Sequence, residues 1–183
     1  MDECKIVLDQ NAIEMRLYQY CHAVDTCNYD LLCDVYWPDA VDDHGFYVGS
    51  AYEFAAYNTS NTPLAFESTW HSVTNIVIKI DGDVADVESR LIAYHRLRAD
   101  TEWLEPILGS DYASSHAGQQ TSHDYLVGGG YTDRFERRQG VWRIANRRAY
   151  TSWQTAAPSA LTGLSGLFGA EIGPSLRALS ESS

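Results

Sequence analysis

The first 25 residues carry apolar side chains at the spacing of an α-helix. Five of them predict an amphipathic helix over residues 6–25, namely Ile13, Leu17, Tyr20, Cys21 and Val24. Asp25 continues the line of Leu17 and Cys21 at intervals of four residues, so we expect its carboxylate to face the core. A carboxylate in that position is costly unless a neighbouring group pairs with it. Asp25 is therefore a candidate functional residue.

Shorter elements are predicted after this helix. We expect a second helix over residues 28–36, ended by Trp37-Pro38-Asp39, because proline does not continue a helix. Residues 41–48, which include His44, predict a first strand. The sequence Ser-Ala-Tyr-Glu is a capping box and predicts a third helix over residues 50–57.

The chain from residue 72 onward is rich in β-branched residues and alternates apolar with polar side chains. Strands are expected over residues 72–80, 84–98, 121–138 and 141–152. His71 stands at the start of the first of these strands, and His95 lies on the apolar face of the second. Gly128-Gly129-Gly130 in the third predicts a sharp bend of the sheet or the close approach of a ligand. Helices followed by antiparallel strands predict an α+β fold.

Two segments have no periodic pattern. Residues 99–121 join two strands by a connection much longer than a hairpin loop, and apolar residues such as Trp103 predict a lid-like insertion. We expect His116 and His123, which flank it, to be exposed to solvent. Residues 154–183 are rich in small and apolar side chains and predict a tail that docks on a neighbouring subunit.

Composition and charge narrow the class of protein. The 183 residues suit one domain, which we place at residues 1–153, and the net charge of −12 argues against nucleic acid and anionic membranes as partners. We expect no metal and no cofactor, because no ligand set has zinc-site spacing and no nucleotide-binding glycine motif is present. The N-terminus has no secretory pattern and no apolar run approaches the ~20 residues of a membrane helix, which predicts a cytoplasmic protein.

Asp25 and His71 are suited to transfer a proton. A neutral imidazole accepts a proton from carbon when one ring nitrogen faces the substrate and a carboxylate holds the N–H of the other. A leaving group on the next carbon makes the reaction an elimination. The alternative is structural, with Asp25 as a helix cap and His71 as a hydrogen-bonded core residue. His95 and His44 have the same two interpretations, since either could protonate a leaving group or belong to the core.

The hairpin near the C-terminus is similar to that of a known family. Its residues Tyr131-x-Asp133-x-Phe135-Glu136-x-x-x-Gly140-x-Trp142-Arg143-Ile144 resemble the terminal hairpin of the SnoaL-like branch of the nuclear transport factor 2-like superfamily. The order of helices and strands resembles that superfamily over residues 11–153. The resemblance implies a cone-shaped fold in which N-terminal helices pack on a strongly curved, mostly antiparallel sheet that encloses a pocket.

Enzymes of three kinds within that superfamily are similar at single positions: scytalone dehydratase, hexachlorocyclohexane dehydrochlorinase and bile acid 7α-dehydratase. All have an Asp near the end of the first helix and a His at the start of a strand, as Asp25 and His71 stand here. The resemblance also implies roles in the site for His95, Tyr20 and Arg147. A pocket assembled from these residues would need no metal.

The chain departs from these enzymes at other positions. Val24 and His44 stand where scytalone dehydratase has its water-binding tyrosines, and Tyr131 stands where it has an asparagine, so that enzyme's substrate is not implied. Regular alternation along the last strand points Arg148 inward, whereas the resemblance favours Arg147. A β-bulge would decide between them.

The sequence therefore predicts a cofactor-independent lyase that acts on a small hydrophobic, aromatic or polycyclic molecule and expels water, halide or a one-carbon unit such as formaldehyde. The expected catalytic residues are Asp25, His71, His95 and Arg147. The expected substrate-binding residues are Tyr20, His44, Tyr131 and Trp103. The alternatives are a polyketide or steroid cyclase or isomerase, and a non-catalytic binding or assembly subunit. Related enzymes are commonly trimers, so we expect a homotrimer, with a dimer as the next choice.

Overall fold

The computed structural model describes residues 3–99 and 102–160. Its elements follow in chain order: α1 Glu3–Asp25, α2 Tyr29–Asp34, β1 Tyr36–Asp43, β2 Val48–Ser50, α3 Ala51–Ala65, β3 Phe66–Asp81, β4 Val84–Leu97, α4 Leu104–Leu108, α5 Ser110–Ser115, β5 His123–Arg138 and β6 Val141–Pro158. The strands of the described chain form one curved sheet in the order β2-β1-β6-β5-β4-β3. Neighbouring strands are antiparallel except β1 and β6, which are parallel. The predicted α+β fold is confirmed.

The core lies between α1, α2, α3 and the inner face of the sheet. α1 packs on β3 and α3 packs on β1. The predicted alternation of β4 is confirmed from Ala85 to Ala93, because Ala85, Val87, Ser89 and Ala93 are buried while the alternate residues Asp86, Glu88, Arg90 and Ile92 are exposed. One face of the sheet therefore meets the helices, and the other is available to solvent or to a partner.

Several predicted boundaries in the first third of the chain are wrong. Trp37-Pro38-Asp39 belongs to β1 instead of ending α2, because the pairing of β1 with β6 is irregular between Tyr36 and Val41, where a proline is tolerated. α3 continues to Ala65, well beyond Tyr57, because buried Thr62 and Ala65 tie its last turn to the core. Ser50 caps α3 without a side-chain hydrogen bond, so the predicted capping box is absent. Glu53 instead accepts a hydrogen bond from the hydroxyl of Tyr47.

The three consecutive glycines of β5 let β6 approach closely. A Cβ atom at Gly128 would lie 2.0 Å from the ring of Trp153, and one at Gly129 would lie 2.0 Å from the backbone oxygen of Tyr150. The register of β5 and β6 shifts between Gly128 and Gly129. The group that comes close here is the neighbouring strand, and the expected close approach of a ligand stays a prediction.

The insertion between β4 and β5 contains the short helices α4 and α5. The hydroxyl of Tyr112 on α5 lies 3.0 Å from His123 Nδ1, and the ring of Tyr112 stacks on that of His116. His123 is 2% exposed and His116 is half-buried, so the prediction that both are exposed is wrong. The cause is the aromatic contact with Tyr112, which residue spacing does not reveal. The role of the insertion as a lid stays a prediction.

The C-terminal part of the chain continues the sheet. β6 runs to Pro158, past the domain boundary expected at residue 153. The apolar residues on which the docked tail was predicted begin at Leu161 and lie outside the described residues. None of the helices within the described ranges is both long enough and apolar enough to span a bilayer.

Candidate active site

Asp25, the last residue of α1, points at β3. Leu17 is 0% and Cys21 7% exposed, so the helix buries the face on which Asp25 lies. Oδ1 of Asp25 lies 2.6 Å from His71 Nδ1 and accepts a hydrogen bond from the Thr69 hydroxyl at 2.8 Å. Oδ2 accepts the backbone N–H of His71 at 2.9 Å. The carboxylate is therefore fixed by several donors, and the predicted contact between Asp25 and His71 is confirmed.

This contact selects the tautomer of the neutral His71 ring. An ionised carboxylate only accepts hydrogen bonds, so the proton of the neutral imidazole resides on Nδ1 and Nε2 carries the lone pair. The side chains of His71 and Asp25 are 11% and 19% exposed, so both border space that a small molecule can reach. His71 lies several residues inside β3 because that strand begins at Phe66, earlier than predicted. The closed apolar cavity expected around the pair stays a prediction.

His95 lies beside His71 on the inner face of the sheet. The two rings meet edge to face with centroids 5.1 Å apart, and the rings of Phe66 and Tyr125 lie against His95. Burial of the ring, together with the nearby His71, lowers the pKa of His95 to about 3. The residue keeps some exposed surface, but its Nδ1 atom is buried and has no hydrogen-bond partner among the described residues. His95 is therefore neutral at physiological pH.

Arg147 lies in the centre of the molecule. The register of β5 and β6 shifts where Phe135 pairs with Ile144, which makes Ala145 an extra residue and turns Arg147 inward. Its side chain is 0% exposed, whereas that of Arg148 is 75% exposed. The bulge thus selects Arg147, the residue that the family resemblance favoured.

Arg147 is held by charge and by aromatic rings. Nε and Nη2 donate to both carboxylate oxygens of Asp133 at 2.8 and 2.6 Å. The guanidinium lies 4.0 Å from the ring centroid of Tyr20 and 4.0 Å from that of Tyr131, while Nη1 is buried without a partner among the described residues. The arrangement fixes α1 to the last two strands, so Arg147 supports the site more than it contacts a substrate. Its catalytic role stays a prediction.

His44 belongs to a second Asp–His pair. Its Nδ1 atom hydrogen-bonds Oδ1 of Asp42, which is fully buried and whose Oδ2 accepts a hydrogen bond from the Tyr36 hydroxyl. His44 Nε2 lies 3.3 Å from the hydroxyl of Tyr20, and the imidazole stacks on the ring of Phe54 at 4.2 Å. His44 follows β1 directly, whereas the sequence predicted it within a strand.

Sequence reasoning missed Asp42 and Asp133. The signal for Asp42 was present, since residues two apart in a strand share a face, and Asp42 precedes His44 by two. For Asp133, the signal was its place between Tyr131 and Phe135, which are also buried. Both carboxylates look like ordinary surface residues until their partners are known.

The remaining predicted binding residues differ in position. Tyr20 and Tyr131 are each 2% exposed, and burial raises the pKa of both phenols, so they keep their protons and act as donors. Trp103 is half-buried and directly precedes α4 in the insertion, and its contact with a substrate stays a prediction. In the part of the chain that the structure describes, no cluster of three or more His, Cys, Asp or Glu side chains could hold a metal ion.

Comparison with known proteins identifies relatives of this arrangement. The SnoaL-like domain family matches residues 5–148. No curated protein sequence matches the chain. Among solved structures, the type 3 hexachlorocyclohexane dehydrochlorinase of Novosphingobium barchaimii is 18% identical, with a TM-score of 0.66 over 90% of this chain and 97% of that one. At such low identity the likeness concerns the fold.

Two further structures agree with this comparison. A candidate scytalone dehydratase of Novosphingobium aromaticivorans is 18% identical, with a TM-score of 0.64 over 90% of this chain and 97% of that one. A protein of Kribbella flavida is 20% identical, with a TM-score of 0.64 over 82% of this chain and 95% of that one. The fold of this chain is thus shared along nearly the full length of each neighbour.

Replacing Asp133 by Asn tests the buried ion pair. We expect the free energy of unfolding to fall by about 3–5 kcal/mol, because Arg147 is left as an uncompensated buried charge. Asp34→Asn is the matched control: its carboxylate is 45% exposed and pairs with Arg16 and Arg143, so the loss should stay at about 1 kcal/mol. Denaturant unfolding followed by circular dichroism measures both. Equal losses in the two variants would contradict this account.

His95 gives a stability that depends on pH. In the unfolded chain His95 binds a proton below its ordinary pKa of 6.5, whereas in the folded protein its pKa is about 3. The unfolded state therefore gains protons first, and stability is lost as pH falls below about 6.5. Between pH 7 and pH 5 this loss should amount to about 2 kcal/mol. His95→Phe should remove it, whereas His22→Ala on the exposed side of α1 should retain it. Parallel pH dependences of wild type and His95→Phe, measured by denaturant unfolding, would contradict the assignment.

Proposed function

The chain belongs to the SnoaL-like domain family, and from this membership and the hydrogen bond between Asp25 and His71 we propose that it is a cofactor-independent lyase. The single observation that carries the proposal is the 2.6 Å contact that orients the His71 ring. The additional hydrogen bonds from Thr69 and from the His71 backbone support it, since they hold the carboxylate in one orientation. A helix cap alone would not require them.

The proposed reaction begins at His71 Nε2. This atom takes a proton from a carbon of the substrate, and the electrons of the broken C–H bond form a double bond to the next carbon. The leaving group departs from that carbon with the electrons of its own bond. Asp25 stabilises the imidazolium that forms and holds it in position, which is the role of a carboxylate behind a general base.

We propose a small, neutral, hydrophobic and ring-bearing substrate. The support is chemical: the inner face around the dyad carries aromatic rings, including His95, Phe66 and Tyr125, and the net charge of −12 disfavours anionic molecules. Two structural neighbours are named for dehydrochlorination and dehydration. Water, halide or a one-carbon unit is the proposed leaving group.

An isomerase or cyclase is the second candidate function. The observation that favours it is the base itself, since the pairing of Asp25 with His71 serves proton abstraction whether or not a group departs. The mass of the product separates the two functions, because only elimination lowers it. An intact and oriented pair gives less support to a non-catalytic binding or assembly subunit, although fold alone does not decide function. Cys21, Cys27 and Cys33 form no disulfide, which supports our proposal of a cytoplasmic location.

We also propose a homotrimer, with a dimer as the alternative. The outer face of the sheet carries an exposed apolar surface that consists of Trp70, Ile92, Leu126, Tyr150 and Trp153. The strand pairings join these residues, since Ile92 lies opposite Gly128, which in turn lies opposite Trp153. Contiguous apolar surfaces on soluble proteins mark interaction sites. Packing sheet against sheet would cover this one.

The base can be tested with nitrobenzisoxazole, a neutral aromatic probe that opens to a coloured cyanophenolate when a base removes its ring proton. We expect the wild-type protein to catalyse this elimination, equally well with and without EDTA. His71→Ala should lower the rate about 10²-fold through loss of the general base. Asp25→Asn should also lower it strongly, because an amide can hold the ring in the wrong tautomer.

The matched control is His22→Ala, which removes an exposed histidine of α1 and should leave the rate unchanged. Circular dichroism must show that each variant is folded. Near-wild-type turnover by folded His71→Ala would remove the proposed mechanism. A wild-type protein that does not accelerate the reaction would overturn the proposed function.

The assembly can be tested by light scattering at micromolar concentration. We expect a mass about three times 20.5 kDa for the wild type. Ile92→Lys should produce a monomer because it introduces a charge into the centre of the apolar surface, whereas Tyr18→Lys on the exposed face of α1 should stay trimeric. A monomeric wild type would refute the proposed assembly.

A further inference from the structure

The elimination proposed above requires a second proton transfer. An oxygen leaving group departs far more readily when it receives a proton as its bond to carbon breaks. His71 cannot supply that proton, because it acts as the base in the same step. His95 is neutral and buried, so it does not supply the proton either.

Asp42 and His44 have the geometry of a proton donor. His44 Nδ1 is hydrogen-bonded to Asp42, whose other oxygen accepts the hydroxyl of Tyr36. Asp42 is 0% exposed, and a buried carboxylate needs a compensating positive charge. His44 Nδ1 is the ring nitrogen in contact with it, so the Asp42 carboxylate orients the imidazole with Nε2 turned away from Asp42.

Only His44 in this cluster reaches accessible space. Its side chain is 15% exposed, whereas Asp42, Tyr36 and Arg147 are 0% exposed and Tyr20 is 2% exposed. Stacking on Phe54, which is itself buried, fixes the plane of the imidazole. His44 is therefore the residue of the cluster that a substrate can contact.

Tyr20 supports the release of a proton from His44. Its hydroxyl lies 3.3 Å from Nε2 and stays protonated, since burial raises its pKa. When Nε2 loses its proton, the Tyr20 hydroxyl can donate to the lone pair that remains. The hydrogen bond thus stabilises the neutral ring after proton transfer.

We propose, on the basis of the lyase function proposed above, that His44 is the general acid of this site and that Asp42 and Tyr20 are its positioning residues. The site then contains two Asp–His pairs with opposite tasks. Asp25 and His71 remove the proton from carbon, and Asp42 and His44 protonate the departing oxygen.

The step balances in protons and electrons. The C–H bond breaks and its proton passes to His71 Nε2, while its electrons form the new double bond. The C–O bond breaks and its electrons remain on oxygen, which takes the proton from His44 Nε2. Water is released, His71 ends protonated and His44 ends neutral. Exchange with solvent restores both rings, so no oxidant, reductant or cofactor is consumed.

The charged and titratable groups near His44 come from several elements. They are Asp42 on β1, Tyr20 on α1, Tyr131 and Asp133 on β5, and Arg147 on β6. Arg147 is neutralised by Asp133 through two hydrogen bonds. Asp42 is thus the carboxylate that contacts the imidazole directly.

Two probes that differ in their leaving group test the proposal on the intact protein. Nitrobenzisoxazole releases a weakly basic phenolate that needs little help, whereas unsubstituted benzisoxazole releases a more basic one. His44→Phe, which fits beside Phe54, should lower the rate on the unsubstituted probe about tenfold or more and on the nitro probe less than about threefold. His44→Gln, which keeps a polar side chain, should show the same selectivity. Asp42→Asn should show a weaker form of it.

The pH profile provides a second readout. With the unsubstituted probe, the wild-type rate should fall on the alkaline side as His44 loses its proton, and this descending limb should disappear in His44→Phe. If His44 had a merely structural role, its replacement would lower the rates on both probes by the same factor and leave the shape of the pH profile unchanged. Either of those results overturns the proposal.

The two proposals fail in different ways. If the wild-type protein eliminates neither probe, the lyase function falls and this inference falls with it. Suppose instead that the wild-type protein catalyses elimination of both probes and His71→Ala does not. If His44→Phe then lowers the rates on the two probes equally, His71 stands as the base and His44 is refuted as the acid. A selective loss of rate on the unsubstituted probe in His44→Phe supports both proposals.

Discussion

The buried ion pair of Arg147 and Asp133 connects the helices to the sheet. Asp133 and Arg147 pair across β5 and β6, and the guanidinium lies between the rings of Tyr20 from α1 and Tyr131 from β5. A charge held in this way resists displacement, because moving it would break two hydrogen bonds and two cation–π contacts in a medium of low dielectric. The position of α1 follows, and with it the position of Asp25 five residues beyond Tyr20.

The two Asp–His pairs differ in what surrounds their carboxylates. Asp25 also accepts a backbone N–H and a threonine hydroxyl and keeps some contact with solvent. Asp42 is fully enclosed and accepts a tyrosine hydroxyl in addition to His44. Asp25 is stabilised by several donors and by some solvent, whereas the enclosed Asp42 depends on His44 and Tyr36 for its hydrogen bonds. Environment therefore gives the same two residue types different chemical characters.

The sequence predicted the features that depend on periodicity. The helical spacing of Leu17, Cys21 and Asp25 placed the carboxylate correctly, and alternation placed His95 on the inner face of β4. Periodicity failed where an irregularity or a distant partner decides. The burial of His123 depends on Tyr112 in the insertion, and that of Arg96 on Glu67, to which it donates a hydrogen bond. The buried carboxylate Asp133 was missed for the same reason, because its partner Arg147 lies on another strand, whereas the two-residue spacing of Asp42 and His44 was a signal that went unused.

The single extra residue at Ala145 has a consequence for the comparison of sequences. It decides that Arg147 faces the interior while its neighbour Arg148 faces solvent. Consider two homologues whose hairpins differ in length by one residue. Residues in the same column of their sequence alignment would then face the interior in one protein and solvent in the other. A deletion confined to the surface of β6 would thus exchange the residue at the centre of the molecule, so insertions and deletions in this strand act as substitutions in the core.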